Sequence, residues 1–103
     1  MAKLSLAVDP TFVATVLIPI PGKKPVPVEF TFKGRTRNEF RDFLDAASGR
    51  EDPDLMMETI CGWELEDQFS RENVDRLLQS KPASGRAIIE KYIAEMTGAR
   101  LGN

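Results

Sequence analysis

The sequence predicts an α+β fold: an N-terminal antiparallel β-hairpin followed by three or four short packed α-helices. Three observations lead there. Apolar side chains alternate strictly at Val26, Val28, Phe30 and Phe32, the period of a half-buried strand. Helix-start residues recur at Thr36, Asp52 and Ser70. Behind each of them the apolar residues return at three- and four-residue spacing.

The elements follow in order. "FVATVLIPI" is rich in β-branched residues and is the first strand; "PVPVEFTFK" is the second. "PGKKP" between them is a turn by composition, so the hairpin occupies about 11–33. Pro25 and Pro27 cannot donate to a ladder, which puts the start of the second strand on an edge. A lone hairpin is marginal in water. Its Val/Phe face must therefore pack on the helices, extend another sheet or pair with another copy.

Thr36-Arg37-Asn38-Glu39 is a capping box, and Phe40, Phe43, Leu44 and Ala47 form the stripe of a first helix over 37–48, with Gly49 as its stop. Asp52-Pro53 places an acceptor at the N-cap and proline at the first helical position, opening a helix over 53–61 that Gly62 ends. Ser70 caps a third helix, 71–80, carrying Val74, Leu77 and Leu78. Pro82 precedes a fourth, 83–97, with Ile88, Ile89, Tyr92, Ile93 and Met96, and Gly98 stops it. At 103 residues this is one domain, spanning 1–103, able to fold without metal or cross-link.

Composition excludes several kinds of chemistry. There is no histidine and one cysteine, so a Ser-His-Asp or Cys-His site and an internal disulfide are impossible. A zinc site would have one thiolate and carboxylates only, poor ligation for that metal. There is no phosphate-binding glycine loop and no dinucleotide fingerprint, and "DPDLMME" lacks the glycine and the final glutamate of a calcium loop. Glu64, Glu66 and Asp67 could pair as carboxylates, but such a pair works only where the surroundings drive its two pKa values apart. No catalytic, cofactor or metal residue is expected, and no enzyme activity. The longest apolar run, nine residues with Pro19 inside, is too short to span a bilayer. With no export signal, the expected location is the cytoplasm.

Charge is uneven. Residues 1–37 carry six basic and two acidic side chains, 38–75 three and twelve, and 76–103 five and two. One reading is a solvated helical surface; the other is a polar surface that meets a basic partner, such as the basic end of a second copy. Thinly spread cations and an acidic centre argue against nucleic acid.

"CGWELEDQFSREN" holds the only tryptophan. The residues read as a structural connection. Trp63 locks a loop between two helices, and Phe69, just before the Ser70 cap, can pack on Val74 as a hydrophobic staple. Cys61, at the end of an apolar helix among acidic neighbours, is expected to be buried packing. Met56, Met57 and Met96 suit adaptable partner binding, although methionine also fills core gaps. Client contact is expected on exposed helix faces and the hairpin edge.

A hairpin carrying "FTFKGRTRNEFRDFLD" precedes "GWELEDQFSRENVDRLLQSKPASGRAIIEKYIAEMTGARLGN". In this order the segments resemble the small tail assembly chaperones of long-tailed phages and prophages. The pattern is a Gly-Trp, an acidic residue, a Phe-Ser opening a helix with paired leucines, a proline, a helix with a tyrosine, and a short polar C-terminus. Here these are Gly62, Trp63, Asp67, Phe69, Ser70, Leu77, Leu78, Pro82 and Tyr92. The resemblance covers nearly the whole chain and rests on the ordered set. "SKPASG" departs from it, lacking a tyrosine before the proline, and so does the lysine-free "LGN" end.

The resemblance implies a non-enzymatic assembly factor. It would bind the long helical tape measure protein, keep it soluble, and give way as tail tube protein polymerises, leaving none in the finished virion. It also implies a possible longer form made by ribosomal frameshifting, whose extension recruits the tube protein, and self-association around the client. Two other classes fit the residues: a generic protein-interaction adaptor, and a structural virion component such as a connector or tube protein.

Overall fold

The computed structural model describes residues 2–99. Its elements are β1 (Thr11–Ile20), β2 (Lys23–Lys33), α1 (Arg37–Ala47), α2 (Pro53–Thr59), β3 (Ile60–Trp63), α3 (Arg71–Ser80) and α4 (Ser84–Thr97). The α+β class, with its hairpin and four following helices, is as the sequence predicts. The polar "LGN" end lies outside the described residues.

β1 and β2 pair antiparallel from Thr11↔Lys33 to Ile18↔Val26, with a register shift before Ile20↔Lys23. Gly22 makes the turn at φ +75°, a conformation that costs glycine nothing. The alternation sends Val16, Ile18, Val28, Phe30 and Phe32 inward, all buried, while Val13, Thr15 and Leu17 face out. The inner face packs on the helices, with α4 along β1 and α2 against β2.

One element departs from the sequence reading. Residues 60–63, read as the end of a helix, its glycine stop and the tryptophan of the following loop, form a third strand in the order β1-β2-β3. They pair with β2 at Phe30↔Trp63, Thr31↔Gly62 and Phe32↔Ile60. Ile60 continues the helical spacing of Leu55 and Met56, so local pattern assigns it to α2; pairing with a strand thirty residues earlier overrides that. β2 is therefore central, but β3 covers only Phe30–Phe32. The Pro25–Pro27 end of β2 still lacks a second neighbour, as the prolines require.

The bulged register also corrects the expectation for Cys61. Residues 60 and 62 face Phe32 and Thr31, so Cys61 is the extra residue, without a direct partner, and it is exposed rather than buried.

The helix starts follow the caps. Thr36 N donates to Glu39 Oε1 at 2.8 Å and Glu39 N to Thr36 Oγ1 at 3.1 Å, closing the capping box. Leu55 N donates to Asp52 Oδ2 at 3.3 Å, and Asn73 N to Ser70 Oγ at 3.1 Å. α4 begins without a side-chain cap and ends at Gly98, φ +74°.

The core centres on Tyr92. Its ring is fully buried, with the rings of Phe12, Phe32, Phe40 and Phe43 at 5.2–6.1 Å between centroids. Its hydroxyl donates to Lys33 O at 2.8 Å and accepts from Arg35 Nη1 at 3.0 Å. Arg35 also donates to Glu58 O at 2.7 Å and lies 4.4 Å over the Phe43 ring. One side chain from α4 thus ties the hairpin's end to α1 and α2.

Candidate partner-binding surface

The residues singled out in the sequence fall into two groups. Gly62 and Trp63 end β3, and Asp67, Phe69 and Ser70 belong to the loop that joins it to α3, so the five come together at one junction. Trp63 Nε1 donates to Asp67 O at 2.8 Å, closing the loop on itself. The indole stands edge-on to Phe30 and Phe69, at 6.3 and 5.2 Å. Gly62 passes close over Thr31, where an added Cβ would sit 3.4 Å from its Oγ1. Asn73 Nδ2 donates to Gln68 O at 2.7 Å, holding the loop's far end on α3. Leu77 and Leu78 pack at the core's margin, and Pro82 is exposed at the α3–α4 connection. Tyr92 is remote from this loop, at the junction described above.

The methionines divide as well. Met56 is fully buried between α2 and the sheet and has no surface to offer a partner in this fold. Its spacing marks an apolar helix face, which packing turned entirely inward. Met57 and Met96 are partly buried against the core.

Carboxylates act as local ties. The hydrogen bond from Arg50, with help from the Leu55 amide, holds the Asp52 carboxyl at about 2. The Thr36 amide lowers that of Glu39. Glu64 Oε1 accepts from Glu29 N at 3.1 Å, while Glu66 and Asp67 face solvent. Among the described residues no group of three His, Cys, Asp or Glu side chains could hold a metal ion, and no helix is long and apolar enough to cross a membrane.

The surface that remains is apolar and dispersed. Leu4, Leu6 and Val8 of the N-terminal segment are 83%, 95% and 47% exposed; Val13 and Leu17 are bare on the outer sheet face. Val26, on the inner face, is 47% exposed. It borders a cleft of about 250 Å³ at the hairpin tip, closed on the other side by Leu65 and Leu77. A smaller cleft of about 160 Å³, lined by Trp63, Asn73 and Arg76, adjoins it across the same two leucines. Sequence reasoning pointed to exposed helix faces and the hairpin edge, and did not single out these residues. The alternation at 4, 6 and 8 and the outward phase of Val13 and Leu17 were their only signals.

A family profile described as phage tail assembly chaperone matches residues 1–103. The chain belongs to the phage tail assembly chaperone family. Neither the curated proteins nor the solved structures hold a significant match to it. For a tail assembly chaperone, the geometry sorts the family-pattern residues by what they touch. Trp63, Asp67, Phe69 and Ser70 shape a loop, and Tyr92 organises the core. The exposed apolar side chains lie elsewhere on the chaperone, at the N-terminal segment, the outer sheet face and the hairpin tip.

Proposed function

We propose that this tail assembly chaperone binds the tape measure protein of its phage or prophage in the host bacterial cytoplasm and keeps it soluble. Tail tube protein then displaces it during polymerisation, and the finished virion contains none. A longer, frameshifted form would carry the contact with tube protein, and copies would associate around the client. The role is one of binding without catalysis.

The observation that carries this reading is the family match along the whole chain. The surface supports it physically. A tape measure protein presents long apolar helical faces that aggregate unless shielded. A reversible shield needs accessible apolar side chains on a fold that stands without them, and six large ones are exposed among the described residues. The test is co-expression with the tape measure protein of the same genome. Rescue of its solubility, with co-purification and absence of this chain from purified virions, is expected. A tape measure protein that stays insoluble with both chains well expressed refutes the reading. Persistence in purified virions would favour a structural component.

A further inference from the structure

We propose that the cleft at the hairpin tip seats an amphipathic helix of the client whose apolar stripe is bordered by acidic residues. This rests on the client-binding reading above and names its site.

The cleft lies where the inner face of the hairpin tip meets the end of α3 without closing on it. Elsewhere that face is covered by α4 along β1 and by α2 against β2. Phe30 and Phe32 are closed over; nearer the tip, Val26 is 47% exposed although it shares their face and pairs with the buried Ile18. Ile18, Ile20 and Val26 form one wall, and Leu65 and Leu77 the other. Among the described residues nothing else fills this space, and every lining residue except Lys81 is apolar.

The rim decides the occupant. Lys81 lines the cleft from the end of α3. Lys23, the first residue of β2, sits opposite Ile20 across the hairpin. Neither lysine forms an ion pair among the described residues. An apolar floor beside two lysines without a carboxylate partner fits a helix that carries Leu-type anchors at i, i+3 and i+4 spacing flanked by Asp or Glu. It is a poor fit for the N-terminal segment of a second copy. That segment is apolar, but it opens on Lys3 and belongs to the basic third of the chain. Its own copy cannot supply it either. Pro10 O accepts from Gly34 N at the opposite end of the hairpin. From there Leu6 reaches about 13 Å, while Ile18 lies about 26 Å along β1.

The test uses the full chain co-expressed with its tape measure protein, comparing Val26→Glu, Lys23→Glu/Lys81→Glu and Leu17→Glu. The first two alter floor and rim at accessible positions. The third puts the same charge on the outer sheet face, where Leu17 is 61% exposed. Circular dichroism melting verifies the fold of each. Soluble tape measure protein is expected to fall at least fivefold with the first two and to stay at the wild-type level with Leu17→Glu. A labelled eighteen-residue Leu/Ala helix flanked by Glu is expected to bind the wild type at least tenfold tighter than its Lys-flanked counterpart, with the difference shrinking in salt. Wild-type rescue that survives both cleft variants overturns the cleft while leaving the chaperone reading intact. So does rescue lost only with Leu17→Glu, or a Val26→Glu chain that loses self-association but not rescue. Failure of the wild type itself removes the reading and the cleft proposal with it.

Discussion

Replacing Tyr92 with phenylalanine removes one oxygen atom from the centre of the core. That oxygen donates to Lys33 O at 2.8 Å and accepts from Arg35 Nη1 at 3.0 Å, joining α4 to the end of β2 and the start of α1. The ring and its four aromatic neighbours remain, so no cavity beyond the hydroxyl itself forms. What is lost is a donor for one carbonyl and an acceptor for one guanidinium N–H. Leaving buried partners unsatisfied costs about 1–3 kcal/mol. Arg35 keeps its bond to Glu58 O and is partly open to water, which favours the lower half of that range. Tyr92→Phe is therefore expected to destabilise by about 1–2 kcal/mol, a drop in Tm of roughly 5–15 °C for a domain of this size. Tyr92→Ala, which also opens a cavity among the rings, is expected to cost about 3–5 kcal/mol. Urea denaturation followed by circular dichroism measures both. Adding Arg35→Met completes a double-mutant cycle, for which a coupling of at least about 0.5 kcal/mol is expected. A Tyr92→Phe protein as stable as wild type, with no coupling to Arg35, would refute the bridge as a source of stability and leave ring packing alone.

Asp52 and Glu39 both titrate below their ordinary values, so the stability they contribute is complete at neutral pH and disappears as they are protonated. For Asp52 the loss falls between about pH 4 and pH 2; Asp52→Asn, which keeps a cap acceptor but not the Arg50 pair, should flatten the urea midpoint across that window. Thr36→Ala opens the capping box and is expected to destabilise by about 1 kcal/mol in the same urea assay. Cys61 is expected to react with a maleimide in the native protein as fast as in the unfolded one; protection until unfolding would contradict the bulged β3 register. Gly34→Ala would drive a methyl group into the Asp9 carbonyl oxygen, so the Gly34 amide should lose its hydrogen-exchange protection as the contact with Pro10 opens.

Where a feature depends on neighbours in the chain, the sequence was enough. Val26 to Phe32 alternate because a strand shows its two faces in turn. Thr36, Asp52 and Ser70 start helices because a side-chain oxygen reaches an amide three residues on, whatever the rest of the molecule does. The order of Gly62, Trp63, Asp67, Phe69 and Ser70 was likewise sufficient to suggest the family. Tertiary structure decided what depends on distant partners. Ile60–Trp63 became a strand only because Phe30–Phe32 had an open edge, and that pairing turned Cys61 outward. Met56 went fully into the core although its spacing equally suited a binding face. The bare hairpin tip has no local signature at all. Val26 reads in the sequence as one more buried residue of an alternating strand. It is exposed because Leu77 of α3 and Leu65, which face it across the cleft, do not close over it.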